Sequence, residues 1–75
     1  MTPTILDLKG LKCPLPALKA RKALKSVVPG GELTVICTDP MAAIDIPNLI
    51  RETGDVLTLQ ATDAGILTFV IRKAA

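Results

Sequence analysis

Thr4-Ile5-Leu6-Asp7-Leu8-Lys9-Gly10-Leu11-Lys12-Cys13-Pro14-Leu15-Pro16 is the stretch on which the fold turns. Its first five residues alternate as a half-buried strand does, and Gly10 closes the run before Leu11-Lys12-Cys13 leads into a proline. Proline is favoured at the first helical position, where its missing N–H would lack an intrahelical partner anyway. Pro14 therefore predicts a helix from about residue 14 to 28 and makes Cys13 its N-cap. A thiol in that place meets unpaired backbone N–H groups and the positive end of the helix dipole. Both favour thiolate, as do Lys12 beside it and Lys9 nearby, so the sequence predicts a depressed pKa for Cys13. The plainer alternative is an ordinary helix start that happens to contain a small apolar cysteine.

Outward from this junction, Ala17, Ala20, Leu24 and Val27 or Val28 recur at helical spacing, with Lys19, Lys22 and Lys25 away from that stripe. Pro29-Gly30-Gly31 is a turn, and Glu32 to Cys37 alternates with Leu33, Val35 and Cys37 on one face, a second strand. Asp39 can cap a helical turn opening at Pro40, and Asp45 can cap again before Ile46, Leu49 and Ile50. Pro47 then predicts a bent or two-part second helix. Gly54 ends it. Residues 56 to 61 and 66 to 72 read as strands joined across Thr62-Asp63-Ala64-Gly65, an antiparallel hairpin with Leu57, Leu59, Leu67, Phe69 and Ile71 toward the core. The order is βαβαββ: a two-layer α/β sandwich with a four-stranded mixed sheet and two helices on one face. A right-handed crossover makes the first two strands parallel, so Cys13 and Cys37 lie near the same sheet edge, where ligand chemistry often gathers.

Composition restricts function. The 75 residues, without repeat or linker, are expected to form one domain over residues 1–75. There is no histidine, tryptophan or tyrosine, and the single aromatic residue is Phe69, so the core is aliphatic. No apolar run approaches the roughly 20 residues of a membrane span. The N-terminus lacks the basic start and apolar stretch of a secretory signal, which makes a reducing cytoplasm the expected compartment and free thiols the expected state. A net charge of +2 and one aromatic, placed in the core, give a nucleic-acid binder neither field nor stacking platform.

At this point the residues resemble a known family. Leu6-Asp7, Gly10-Leu11-Lys12-Cys13-Pro14-Leu15-Pro16, Arg21-Lys22, Asp39-Pro40, Asp45-Ile46-Pro47 and Ile71-Arg72-Lys73 look like the TusA/SirA-type sulfur carriers, whose hallmark is Cys-Pro-x-Pro between the first strand and first helix. The resemblance implies the βαβαββ sandwich and a cysteine that carries sulfur as a persulfide, here Cys13. It implies a donor, such as a cysteine desulfurase or a rhodanese-like protein, and an acceptor sulfurtransferase. The tRNA-thiolation branch has glutamate at the third motif position and Asp-Asp-Pro later; Leu15 and Thr38-Asp39-Pro40 stand here. Those departures leave the carrier chemistry intact and the pathway open among tRNA thiolation, molybdenum-cofactor maturation and sulfur or thiosulfate metabolism.

The residues suit that role on their own terms. A thiolate makes a persulfide by attacking a donor's sulfane sulfur. The chain offers no histidine for a Cys-His pair, no phosphate loop and no Cys-x-x-Cys, so the expectation is a sulfurtransferase half-reaction without a self-contained active site or cofactor. Pro14 and Pro16 stiffen the first helical turn, and Gly10 and Lys12 support the motif. Two thiols without histidine do not make a zinc site. Cys37 reads as a buried structural thiol, with a resolving partner for Cys13 as the rival. Arg21 and Lys22, with Lys19 and Lys25, form either a solvated helix face or a docking flank for acidic partners. The outward sheet face, with Ile5, Ile36, Val56, Ile66 and Val70 among threonines, is apolar enough for weak self-association of a monomer. A thiol-based redox or regulatory adaptor without sulfur transfer would use the same Cys13, and its product would be a disulfide or sulfenic acid.

Overall fold

A computed structural model describes residues 4–74. Strand β1 (Thr4–Leu8) leads into helix α1 (Leu15–Ser26), then β2 (Glu32–Cys37), α2 (Ala42–Thr53), β3 (Val56–Asp63) and β4 (Ile66–Arg72). The sheet order is β1-β2-β4-β3, with β1 parallel to β2 and β4 antiparallel to both of its neighbours. This is the mixed four-stranded sheet and helix pair that the alternation predicts.

Alternation decides the core. Leu33, Val35 and Cys37 of β2 and Leu67, Phe69 and Ile71 of β4 face the helices and are buried. They meet Ala20 and Leu24 of α1 and Ala42, Ile46, Leu49 and Ile50 of α2, the apolar stripes of two amphipathic helices. Leu6 and Leu57 are partly buried against this cluster. Cys37 is fully inside, which agrees with the structural reading of that thiol.

Three expectations are corrected. Leu59, which simple alternation places in the core, is half exposed, because the β3–β4 register slips between Leu57 and Leu59. Leu57 pairs with Ile71, but Leu59 pairs with Val70 on the outward face, as a β-bulge requires. The second helix is one continuous element, although Pro47 lies inside it. It starts earlier than a cap at Asp45 would allow: the Asp39 carbonyl accepts the Ala42 N–H at 3.0 Å, and Asp45 donates its own N–H to Met41 as part of the first turn. Burial of Ala42, Ile46, Leu49 and Ile50 on one stripe then holds both sides of Pro47 to the same sheet. Finally, the hairpin loop is shorter than four residues. Asp63 pairs with Ile66, leaving Ala64 and Gly65 at φ 50° and 80°, the two left-handed positions of a type I′ turn.

The connections place the site. β2 and β3 run parallel, as do β1 and β2, so both helices return antiparallel to those strands and start at one sheet edge. The helices consequently lie side by side in the same direction, with the C-terminal ends of β1 and β2 beneath their N-termini.

Candidate functional site

The loop after β1 is fastened to the loop after β2. Leu8 and Cys37 are register partners at the ends of the parallel pair, so the two chains leave the sheet together. Gly10 takes φ 86°, a conformation that costs a residue with a Cβ, and donates its N–H to Thr38 Oγ1 at 2.8 Å. Three residues on, the Cys13 N–H donates to Asp39 Oδ2, while Asp39 Oδ1 accepts the Met41 N–H at 3.1 Å. Asp39 thus closes a local turn onto Met41, the residue that precedes α2, and is a long-range clamp on Cys13. These two N–H donors, helped by Lys12, hold its carboxyl below the usual carboxylate range.

Cys13 is exposed, and its thiol donates to Asp45 Oδ2 with sulfur and oxygen 2.7 Å apart. The helix begins one residue later than expected. Leu15 N–H closes a turn onto Lys12 O at 2.9 Å, Pro14 is the N-cap and Pro16 sits buried at the second helical position. The Cys13–Pro14 peptide bond is cis. With its own N–H given to Asp39 and its thiol to Asp45, Cys13 caps nothing.

The electrostatic expectation is therefore reversed. The hydrogen bond to Asp45 pushes the Cys13 thiol above its ordinary pKa, and desolvation and the charges of Asp45 and Asp39 act the same way. Two helix N-termini point to this edge, but each offers about half a charge, spread over several N–H groups. A whole negative charge in hydrogen-bond contact with the sulfur outweighs them. Lys12, exposed in the same loop, does not offset it. Cys37 differs in cause: burial pushes its thiol up to about 11, with the Asp39 charge second.

A groove of about 300 Å³ runs from Cys13 between the helices. One wall is the i, i+3, i+7 stripe Pro14, Ala17, Arg21 of α1, and the other is Asp45, Asn48, Glu52 of α2. Arg21 reaches across it to Glu52 at 2.9 Å. Of the predicted docking pair, Arg21 is thus tied into the groove, whereas Lys22 is exposed on the outer surface. Around the Cys13 end, Leu15, Leu18, Met41 and Ile44 are large apolar side chains, each roughly half exposed. Among the described residues no group of three or more Cys, Asp or Glu side chains could hold a metal ion.

The sequence singles out Cys13 but carries no local sign of what Asp39 and Asp45 do beside it. Each reads locally as a helix cap, which is what an aspartate before a helix signals. The available clue was topological: if both helices start at one edge, the acids in the opening turn of α2 are the charges nearest Cys13.

A family profile described as sulfurtransferase TusA matches residues 4–73. A Neisseria meningitidis protein assigned as a candidate sulfur carrier is 43% identical over 72 residues, covering 96% of this chain and 97% of its own. The sulfur carrier protein TusA of Pseudomonas putida is 41% identical over 71 residues, 95% of this chain and 89% of that protein. Among solved structures, a SirA-like protein from Desulfitobacterium hafniense superposes with a TM-score of 0.83 over 96% of this chain and 99% of its own, at 22% identity, which supports the fold.

Proposed function

Because the chain belongs to the TusA family of sulfur carriers, we propose that Cys13 accepts sulfane sulfur as a persulfide and relays it to an acceptor protein. The observation that carries this reading is the placement of Cys13: exposed at the mouth of a groove, fixed through its own N–H by Asp39 and through its thiol by Asp45.

The reaction balances without a cofactor. Cys13 sulfur attacks the outer sulfur of a donor persulfide, R–S–SH. A new S–S bond forms at Cys13 as the donor's S–S bond breaks, and the electron pair leaves with R–S⁻, which takes up the proton that Cys13 loses. The products are Cys13 persulfide and R–SH, and handover to an acceptor thiolate is the same exchange in reverse. The chain has no histidine to manage these protons, so donor and acceptor proteins complete the site. The apolar collar of Leu15, Leu18, Met41 and Ile44 gives such partners a surface to cover while they exclude water from the sulfur. The exposed Lys19, Lys22 and Lys25 add a field that steers acidic partners and weakens with salt. A reducing cytoplasm suits an exposed free thiol. No helix among the described residues is long and apolar enough to cross a membrane.

The test is intact-mass spectrometry after incubation with a cysteine desulfurase and cysteine, and separately with thiosulfate or polysulfide. A gain of one sulfur atom, reversed by reductant and absent in Cys13→Ser, is expected. Addition of oxygen, or a disulfide, in place of sulfur would make the protein a redox adaptor instead.

A further inference from the structure

The carboxylates at the site are unequal in what they already hold. Both oxygens of Asp39 are occupied by backbone N–H groups of Cys13 and Met41. Glu52 is paired with Arg21 at 2.9 Å, and Asp7 with Lys9 at 3.9 Å. Asp45 is half-buried in the groove wall, takes the Cys13 thiol on Oδ2, and has no cation in ion-pair contact among the described residues. Arg21 lines the same groove but is spent on Glu52. Lys12, on the loop that carries Cys13, is exposed and in ion-pair contact with neither acid among the described residues. A full negative charge therefore stands in contact with the one exposed thiol, uncompensated and open to whatever enters the groove.

We propose that Asp45 is a lock on Cys13: in the free protein its carboxylate keeps the proton on sulfur, and a partner that brings a lysine or arginine side chain into the groove at Asp45 releases the thiolate. The inference rests on the reading of Cys13 as the sulfur-bearing residue. It reverses the usual device of activating a cysteine with a permanent positive neighbour. An exposed, permanently ionised thiolate reacts with any electrophile, whereas a carrier has to react with its partners alone. When a partner's cation pairs with Asp45, the hydrogen bond to sulfur loses its acceptor charge and the thiol is free to give up its proton, which ends on the donor's R–S⁻. The thiolate then attacks the donor persulfide with the bond changes given above. Of the charged groups around the site, Asp39 from the loop after β2 acts with the lock, Lys12 from the loop of Cys13 bears on Asp39, and the Arg21–Glu52 pair further along the groove is neutral as a unit.

The experiment uses the free full-length chain. The rate of iodoacetamide alkylation at Cys13, read by peptide mass, is followed against pH for the wild type, Asp45→Asn, Asp45→Ser and Asp45→Glu. The lock requires the two neutral variants to react several-fold faster near neutral pH, with the profile displaced to lower pH, and Asp45→Glu to stay close to the wild type. Two neutral variants guard against one that fails to fold, checked by circular dichroism. Neutral variants that react at the wild-type rate, or more slowly as they would if Asp45 were an activating base, would overturn it. The release step is read by loading with polysulfide against loading by desulfurase and cysteine. The wild type should favour the protein donor, and Asp45→Asn should lose that preference through faster uptake from polysulfide; an unchanged preference would refute release by a partner. If the neutral variants alkylate faster while neither they nor the wild type take up sulfur, the lock stands and the carrier reading fails.

Discussion

Replacing Cys37 separates a thiol that packs from a thiol that reacts. Its side chain is fully buried between β1, β4 and the helices, in the cluster that contains Leu8, Ala42 and Leu67. Cys37→Ala deletes one sulfur atom from that cluster. The lost transfer energy is comparable to that of a buried methylene, about 0.8 kcal/mol. A residual cavity of roughly 25 Å³ at ~24 cal/mol per Å³ adds about 0.6 kcal/mol. The sum, about 1.4 kcal/mol, lowers the melting temperature by roughly 6–11 °C in a domain of this size. Cys37→Ser keeps the volume but strands a hydroxyl among aliphatic side chains, at about 1–3 kcal/mol. Serine should therefore cost about as much as alanine or more, although it is the closer isostere. Differential scanning calorimetry gives both values, and sulfur loading at Cys13 should be preserved in each variant. A Cys37→Ser protein as stable as the wild type would show that this position is not dry. Loss of sulfur loading in either folded variant would give Cys37 the chemical role denied to it here.

Other consequences can be measured on the fold and the clamp. Leu59→Thr should change stability by no more than about 0.5 kcal/mol, because the bulge turns Leu59 to the open face; a loss above 2 kcal/mol in urea unfolding would place it in the core. Ala64→Asn should stabilise the hairpin by about 0.5–1 kcal/mol, since asparagine tolerates the left-handed conformation that Ala64 adopts, and a fall in melting temperature would contradict the turn assignment. The folded pKa of Asp39 is lowered, so its clamp stabilises the protein fully above the unfolded carboxyl value of about 3.9 and is lost as pH falls below it. Asp39→Asn should accordingly have lower stability at neutral pH but a shallower loss on acidification below about pH 4. An acid transition of unchanged steepness would mean that Asp39 does not bind its two N–H donors.

The fold was legible because its signals are local and agree with one another. Period-two runs in Thr4–Leu8, Glu32–Cys37 and Ile66–Arg72, the Pro-Gly-Gly turn and Gly54 each mark an element, and the crossover rule then fixes which strands are parallel. The bulge was not legible, because Leu57-Thr58-Leu59 alternates faultlessly and the slip appears only when β4 is laid beside it. The continuity of α2 was hidden for a related reason: Pro47 announces a break locally, while the burial that overrides it comes from the sheet.

At the site, the position of Cys13 could be read and its ionisation could not. Proline after cysteine correctly marks a strand-to-helix junction, and Lys12 and the helix dipole lie near in sequence. The two aspartates that govern the thiol come from 26 and 32 residues away and meet it only through the adjacency of two parallel strands. Side-chain contacts of that separation leave no periodicity to read. Their own local meaning as caps was sufficient to conceal them, although the Asp39 side chain closes only the turn onto Met41 ahead of α2.

In the proposed function Cys13, and not Cys37, holds sulfur in transit. The most direct measurement loads the wild type, Cys13→Ser and Cys37→Ala from a cysteine desulfurase with radiolabelled cysteine, removes the donor, and then adds an excess of a small thiol. Label is expected on the wild type and Cys37→Ala, none on Cys13→Ser, and the thiol should discharge it as hydrogen sulfide. Label retained by folded Cys13→Ser, or none on the wild type, would contradict it.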